Sequence, residues 1–193
     1  MSQVHIVAFA GSARKDSFNK KLIRLAAEAA EKAGAKVTLL DIADYQMPLY
    51  DGDDESETGM PEAARKFKNV LASADGFLIA SPEYNSSISG VLKNIIDWTS
   101  RADGANDKPL SAYAGKYAGI MAAAPGALGG LRGLYPLREI LQNISVTVIP
   151  AMQAVSQAGS AFDENGQLKD EKNAAALAKV ATQLVDVLKK VKA

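Results

Sequence analysis

Short, nearly unbroken apolar runs recur along this chain, and each is followed by a segment whose apolar residues repeat at the helical period. The runs are residues 4–10 (VHIVAFA), 37–40, 76–80 (GFLIA), 117–123 and 146–149 (VTVI). A strand covered on one face would alternate apolar and polar residues, whereas an unbroken run suits a strand buried on both faces of a parallel sheet. The helical segments are residues 20–33, 61–73, 89–100 and 131–143, with a final one carrying Leu177, Val180, Leu184, Leu188 and Val191 on one stripe. In the first, Leu22, Leu25, Ala26, Ala29, Ala30 and Ala33 share a face, and Gly34 suits the position just past a helix end. Pro61 suits a first helical position. Strands and helices in strict alternation predict an α/β fold, a parallel sheet with helices on both faces. No repeat or break in composition divides residues 1–193, so they read as a single domain. Residues 42–60 contain no basic side chain and read as a long, solvated polar loop, and Asp163 to Gly166 read as a turn.

Charge and residue usage narrow the chemistry. Lys plus Arg is 22 and Asp plus Glu is 22, a net charge of zero. That balance argues against a nucleic-acid binder and against a polybasic membrane anchor. No apolar run approaches the ~18 residues of a membrane span. Ala8-Phe9-Ala10 mimics a signal-peptidase site, but no Lys or Arg precedes it, so a strand is the better reading and the cytoplasm the expected location. Cysteine is absent and His5 is the single histidine. Thiol chemistry, Cys-ligated metals and multi-histidine metal sites are thereby excluded. His5 lies in the first strand and reads as a structural residue. Difficult chemistry then belongs to a bound cofactor.

In parallel α/β sheets, ligands bind beyond the carboxyl ends of the strands. The loops after Ala10, Ala80 and Ala123 are therefore the informative ones. The first reads Gly11-Ser12-Ala13-Arg14-Lys15-Asp16-Ser17-Phe18-Asn19. It is neither a Walker A loop nor a GxGxxG fingerprint. It concentrates small hydrogen-bonding side chains and two cations where a helix begins, a place that favours an anion. Ser12, Ser17 and Asn19 could donate to phosphate oxygens while Arg14 supplies charge. Equally, Asp16 or Ser17 could simply cap the helix, with Arg14 a solvated cation. The third-strand loop, Ser81-Pro82-Glu83-Tyr84-Asn85-Ser86-Ser87-Ile88-Ser89-Gly90, offers a ring, an amide and backbone donors suited to the edge of a flat heterocycle. An ordinary polar turn capped by Ser87 or Ser89 would read the same way.

Taken together, Gly11-Ser12-x-Arg14-x-x-Ser17-x-Asn19 and Pro82-Glu83-Tyr84-Asn85-x-Ser87-x-x-Gly90-x-Leu92-Lys93-Asn94-x-x-Asp97-Trp98 closely resemble the NADPH-dependent FMN reductase family. The resemblance runs from about Val4 to Pro150 and includes Gly129-Gly130-Leu131-Arg132. It implies a flavodoxin-like three-layer sandwich with sheet order 2-1-3-4-5. It implies FMN as cofactor and NADPH or NADH as co-substrate. Quinones, azo compounds, chromate or free flavin would be the small-molecule acceptors, in a ping-pong cycle through FMN. By the same resemblance, Ser12, Arg14, Ser17, Phe18 and Asn19 form the phosphate and ribityl cradle. Pro82, Glu83, Tyr84 and Asn85, with Ser86 and Ser87, hold the isoalloxazine edge, and Ala124 lies in a third flavin-contacting loop, 123–126. Relatives often carry Tyr or Gly where Ser86 stands and Pro where Ser89 stands.

Other residues carry plainer readings. Ile95 and Trp98 sit at helical spacing and read as core or interface. Lys93, Asn94 and Asp97 read as structural. The acidic run Asp51, Asp53, Asp54, Glu55 and Glu57 lacks the glycine an EF-hand loop needs. Arg132 and Tyr135 resemble residues that relatives place at a subunit interface, which implies a homodimer or homotetramer. Two other functions use the same fold: a flavodoxin-like electron carrier, and a regulatory flavin-binding module without turnover. Net neutrality and Arg14 count against the carrier, since flavodoxins are usually strongly acidic with no arginine in the phosphate loop.

Overall fold

The computed structural model describes residues 3–193. In chain order the elements are β1 (His5–Ala10), α1 (Phe18–Lys32), β2 (Lys36–Leu40), a 3-10 turn (Ile42–Asp44), α2 (Gly52–Thr58), α3 (Glu62–Ala72), β3 (Gly76–Ala80), α4 (Gly90–Thr99), β4 (Tyr117–Ala123), α5 (Leu131–Asn143), β5 (Thr147–Val155), α6 (Ala158–Ala161) and α7 (Glu171–Val191). The five strands form one sheet in the order β2-β1-β3-β4-β5, and every pairing is parallel.

Alternation along the strands assigns each residue to one of the two cores. Ile6, Ala8, Ala10, Leu78, Ala80, Met121 and Ala123 face α1 and α7. Val7, Phe9, Phe77, Ile79, Ala118, Ile120 and Ala122 face α3, α4 and α5. The central strands β1, β3 and β4 are buried on both faces, which suits their unbroken apolar runs, while the edge strands β2 and β5 are only partly covered. Gly119 is needed for this layering, because a Cβ there would lie 2.9 Å from Val180 of α7.

Two expectations are corrected. The first concerns residues 42–60, which fold back on α4 instead of remaining an unstructured loop. Asp51 accepts the N–H of Asp53 at 2.8 Å and starts α2, whose first turn holds Asp53, Asp54 and Glu55 at the end where negative charge is favoured. Upstream, the Pro48 carbonyl accepts from Asn94 Nδ2 at 2.8 Å and from the Trp98 indole at 2.9 Å. The Tyr50 N–H donates to Asn94 Oδ1 at 2.7 Å, and the Tyr50 hydroxyl donates to Glu55 at 2.8 Å. Arg101 pairs with the same Glu55 at 3.1 Å. Trp98 is fully buried, so it and Asn94 are structural anchors.

The second correction lengthens β5, which continues through Pro150 to Val155. Proline ends a central strand because it has no N–H for the ladder, but an edge strand can hold one. Here β5 is the edge, and its register against β4 shifts between Ala118 and Ile120 to take up the irregularity. The Arg138 guanidinium donates to the carbonyls of Val148 and Ile149 at 3.1 Å each, which answers acceptors on this stretch. Among the described residues, no helix is long and apolar enough to cross a membrane.

Candidate functional site

Three loops meet at the carboxyl end of the sheet, held together by backbone and buried polar groups. Gly11 donates its N–H to the Ala80 carbonyl at 2.8 Å, and a Cβ on Gly11 would lie 2.7 Å from Leu92 of α4. Only glycine allows the first loop so close to that helix. The Ser89 hydroxyl, which is buried, donates to the Gly11 carbonyl at 2.6 Å and accepts the Leu92 N–H at 3.2 Å. One side chain thus caps α4 and fastens the third-strand loop to the first.

The first loop and the start of α1 leave several hydrogen-bond donors uncommitted. Ser17 occupies the N-cap position with extended backbone, yet its side chain makes no capping bond, although the residue is buried. The first helical bond runs from Lys21 N–H to the Ser17 carbonyl, so the N–H groups of Phe18, Asn19 and Lys20 have no partner within the helix. No acid occupies the first turn. Ser12 is buried, and its hydroxyl accepts only a long bond, 3.4 Å, from the Arg14 N–H. Arg14 is exposed and has no ion-pair partner among the described residues. Oriented N–H groups, the hydroxyls of two mostly buried serines and an unpaired guanidinium fit a phosphate ester. The capping reading fails for Ser17, because the capping bond is missing.

Two residues expected in the cradle do other work with their side chains. The Asn19 amide donates to the Ala123 carbonyl at 3.0 Å and accepts the Ala123 N–H at 2.9 Å. It clamps the start of α1 to the end of β4. The Phe18 ring stacks parallel on Phe162, with centroids 6.3 Å apart. Its backbone N–H has no partner within the helix.

In the third-strand loop, Ser81 N–H donates to the Met121 carbonyl at 2.8 Å. Pro82 follows it, and residues 84–87 then make a tight turn. Tyr84 and Ser87 exchange two backbone hydrogen bonds, and Asn85 (φ 51°) and Ser86 (φ 63°) are both left-handed, as in a type I′ turn. This turn holds Tyr84 about half-exposed at the rim. Glu83 faces the other way: this half-buried residue turns its carboxylate to Arg132, at 2.6 Å.

The fourth-strand loop completes the site. Ala124 donates to the Val155 carbonyl at 3.2 Å and accepts from Ala158 N–H at 3.1 Å, so its backbone is already engaged. Gly129 (φ 62°) and Gly130 (φ 90°) turn the chain into α5, and a Cβ on Gly129 would lie 2.6 Å from Ser156 N. With Glu83 and Arg132, residues 124–130 line a pocket of about 320 Å³. Motif reading placed Arg132 at a subunit surface and missed its pairing with Glu83, because the partners are remote in sequence.

Beside the first loop, Lys20 pairs with Asp41 at 2.6 Å. Burial pushes the Asp41 carboxyl up, but the Lys20 ammonium and the Ala43 N–H outweigh it and hold the group below the usual carboxylate range. His5 is at the opposite end of the sheet, where its ring bonds the Ser73 carbonyl and the Thr38 hydroxyl. No cluster of side chains suited to a metal ion occurs among the described residues.

A 2-1-3-4-5 parallel sheet with helices on both faces defines a flavodoxin-like protein, and in such folds ligands bind at the end of the sheet where these loops meet. Comparison narrows this: the sequence model of the NADPH-dependent FMN reductases matches residues 4–160, and the chain belongs to that family. A quinone reductase of Pseudomonas putida is 36% identical over 173 residues, covering 89% of this chain and 88% of the relative. An NAD(P)H-dependent FMN reductase of Pseudomonas aeruginosa is 35% identical over 170 residues, covering 88% and 86%. Among solved structures, the flavoenzyme NAD(P)H:(acceptor) oxidoreductase FerB of Paracoccus denitrificans superposes with TM-score 0.79 at 28% identity, covering 97% of this chain and 98% of the other.

Proposed function

We propose that this protein is an NAD(P)H-dependent FMN-containing oxidoreductase that reduces quinones or similar small acceptors. The observation that carries the reading is the uncapped, buried Ser17 at the open N-terminus of α1, beside the unpaired Arg14. The phosphate of FMN would take the N–H groups of α1, the hydroxyls of Ser12 and Ser17, and Arg14. The ring would lie against the loop of Pro82 to Ser87 and the pocket of residues 124–130. Bound there, FMN would supply the redox chemistry that passes electrons from NADPH or NADH to the acceptor, in a ping-pong cycle.

The protein's part is positioning. Ser89 and Asn19 fix the loops relative to one another, and the 84–87 turn presents Tyr84 at the rim. No side-chain acid or base is required, consistent with a chain whose one histidine is at the far end of the sheet. The relatives named as reductases support enzymatic turnover over a carrier role. We also infer a cytoplasmic homodimer or homotetramer, with Arg132 and the half-exposed Tyr135 on the face shared between subunits.

The test is the visible spectrum of protein mixed with FMN and desalted, followed by anaerobic NADPH or NADH. A retained flavin band that bleaches with either nucleotide supports the reductase. Retained flavin that stays oxidised with both would favour a carrier or regulatory module, and no retained flavin would remove the FMN reading.

A further inference from the structure

Helix α5 begins with an electrostatic problem that its own sequence does not solve. Its N-cap is Gly130, which has no side chain, and its first turn contains no acid. The answer comes from another loop. Glu83 Oε2 accepts the backbone N–H of Arg132 at 3.1 Å and of Gly133 at 3.4 Å. Glu83 Oε1 accepts from Arg132 Nε at 2.8 Å and pairs with Nη2 at 2.6 Å. The approach is tight, since a Cβ on Gly133 would lie 3.3 Å from Glu83 Cβ and 3.2 Å from the Ser87 carbonyl. The Glu83 side chain is 8% exposed and the Arg132 side chain 59%. Both residues line the 320 Å³ pocket.

We propose that Glu83 is the charge-balancing and positioning residue of the redox site, acting through Arg132 and α5 to keep the reduction potential of bound FMN low. The proposal rests on the FMN reading above. A helix N-terminus behaves as about half a positive charge, and the guanidinium adds a full one. Alone on the pocket wall, these would favour the more negative, reduced form of the cofactor and hold its electrons back from the acceptor. The Glu83 carboxylate offsets both charges while tying the third-strand loop to the fourth-strand loop. Its side chain is mostly covered, so solvent screens it less than it screens the guanidinium.

The test is the equilibrium of FMN-loaded protein with a redox dye of known potential, in wild type, Glu83→Gln and Arg132→Gln. Glu83→Gln keeps the side-chain shape and leaves the cations unopposed. It is expected to shift the reduced-to-oxidised ratio about tenfold toward reduced, or ~30 mV for a two-electron couple. Arg132→Gln is expected to shift it the opposite way. Ratios unchanged within twofold in both variants, or shifts of the opposite sign, overturn the proposal. Should Glu83→Gln fail to hold FMN, the direction in Arg132→Gln decides alone. If both variants lose FMN while wild type keeps it, the pair shapes the pocket and the charge-balance role is overturned. Fluorescence titration of wild type with FMN separates the two levels: no binding there defeats the FMN reading itself.

Discussion

The Asn19 side chain grips the backbone of Ala123 through both of its hydrogen-bonding atoms, donating at 3.0 Å and accepting at 2.9 Å across 104 residues of sequence. The start of α1 is therefore tied to the end of β4, next to the loop where the FMN phosphate is proposed to bind. Removing it leaves a buried N–H and a buried carbonyl without partners.

Asn19→Ala is expected to lower unfolding stability by roughly 2–3 kcal/mol, the scale for unmaking buried polar pairs, and to reduce FMN retention. Urea unfolding of the apoprotein measures the first effect and flavin fluorescence titration the second. Unchanged stability would mean that the clamp is replaceable by water.

Arg14 differs in being exposed and unpaired among the described residues. Arg14→Ala should leave urea unfolding unaltered yet weaken FMN binding by roughly 1–3 kcal/mol, as for loss of a charge-assisted hydrogen bond. That is a rise in Kd of about 5- to 150-fold. An unaltered Kd would put the phosphate elsewhere.

Ser89 tests the link between the first and third loops. Ser89→Ala removes the α4 cap and strands the Gly11 carbonyl, costing about 1–3 kcal/mol. Ser89→Thr keeps the hydroxyl and should recover most of that. Equal destabilisation by both variants would point to packing at this buried position as the cause.

The sheet, its parallel sense and the three site loops could be read from the sequence because burial on both faces writes itself as unbroken apolar runs. Periodicity supplied α1 and α7 for a related reason, since each presents one apolar stripe to the strands. What stayed illegible depends on partners distant in the chain. The segment around Tyr50 looks like a polar loop until Asn94, Trp98 and Arg101 come to meet it. Pro150 looks like a strand end until the topology makes β5 an edge. Within the site, side-chain types were readable but their allegiances were not. Asn19 and Glu83 suited a ligand by type, yet both spend their polar atoms on other loops, whereas Ser17 and Arg14 keep theirs uncommitted.

The far end of the sheet gives a pH test independent of any cofactor. Asp75 accepts the His5 N–H at 2.8 Å and pairs with Lys192 at 2.7 Å, joining the start of β1 to the chain beyond α7. Burial raises the pKa of this carboxyl, but the Lys192 ammonium and the His5 N–H outweigh it and hold it below its ordinary value of 3.8. A group depressed in the folded state contributes stability above its unfolded pKa, and loses it as pH falls through the folded one. Asp75→Asn should therefore cost roughly 0.5–1 kcal/mol near neutrality, the scale of a partly exposed pair. The gap to wild type should narrow as pH drops below about 4, where the unfolded carboxyl takes up its proton. The single tryptophan, buried Trp98, makes fluorescence-monitored urea unfolding at successive pH values the convenient measurement. A gap that stays constant down to the acid transition would mean that the His5 and Lys192 contacts do not favour the charged form, and that Asp75 contributes through shape alone.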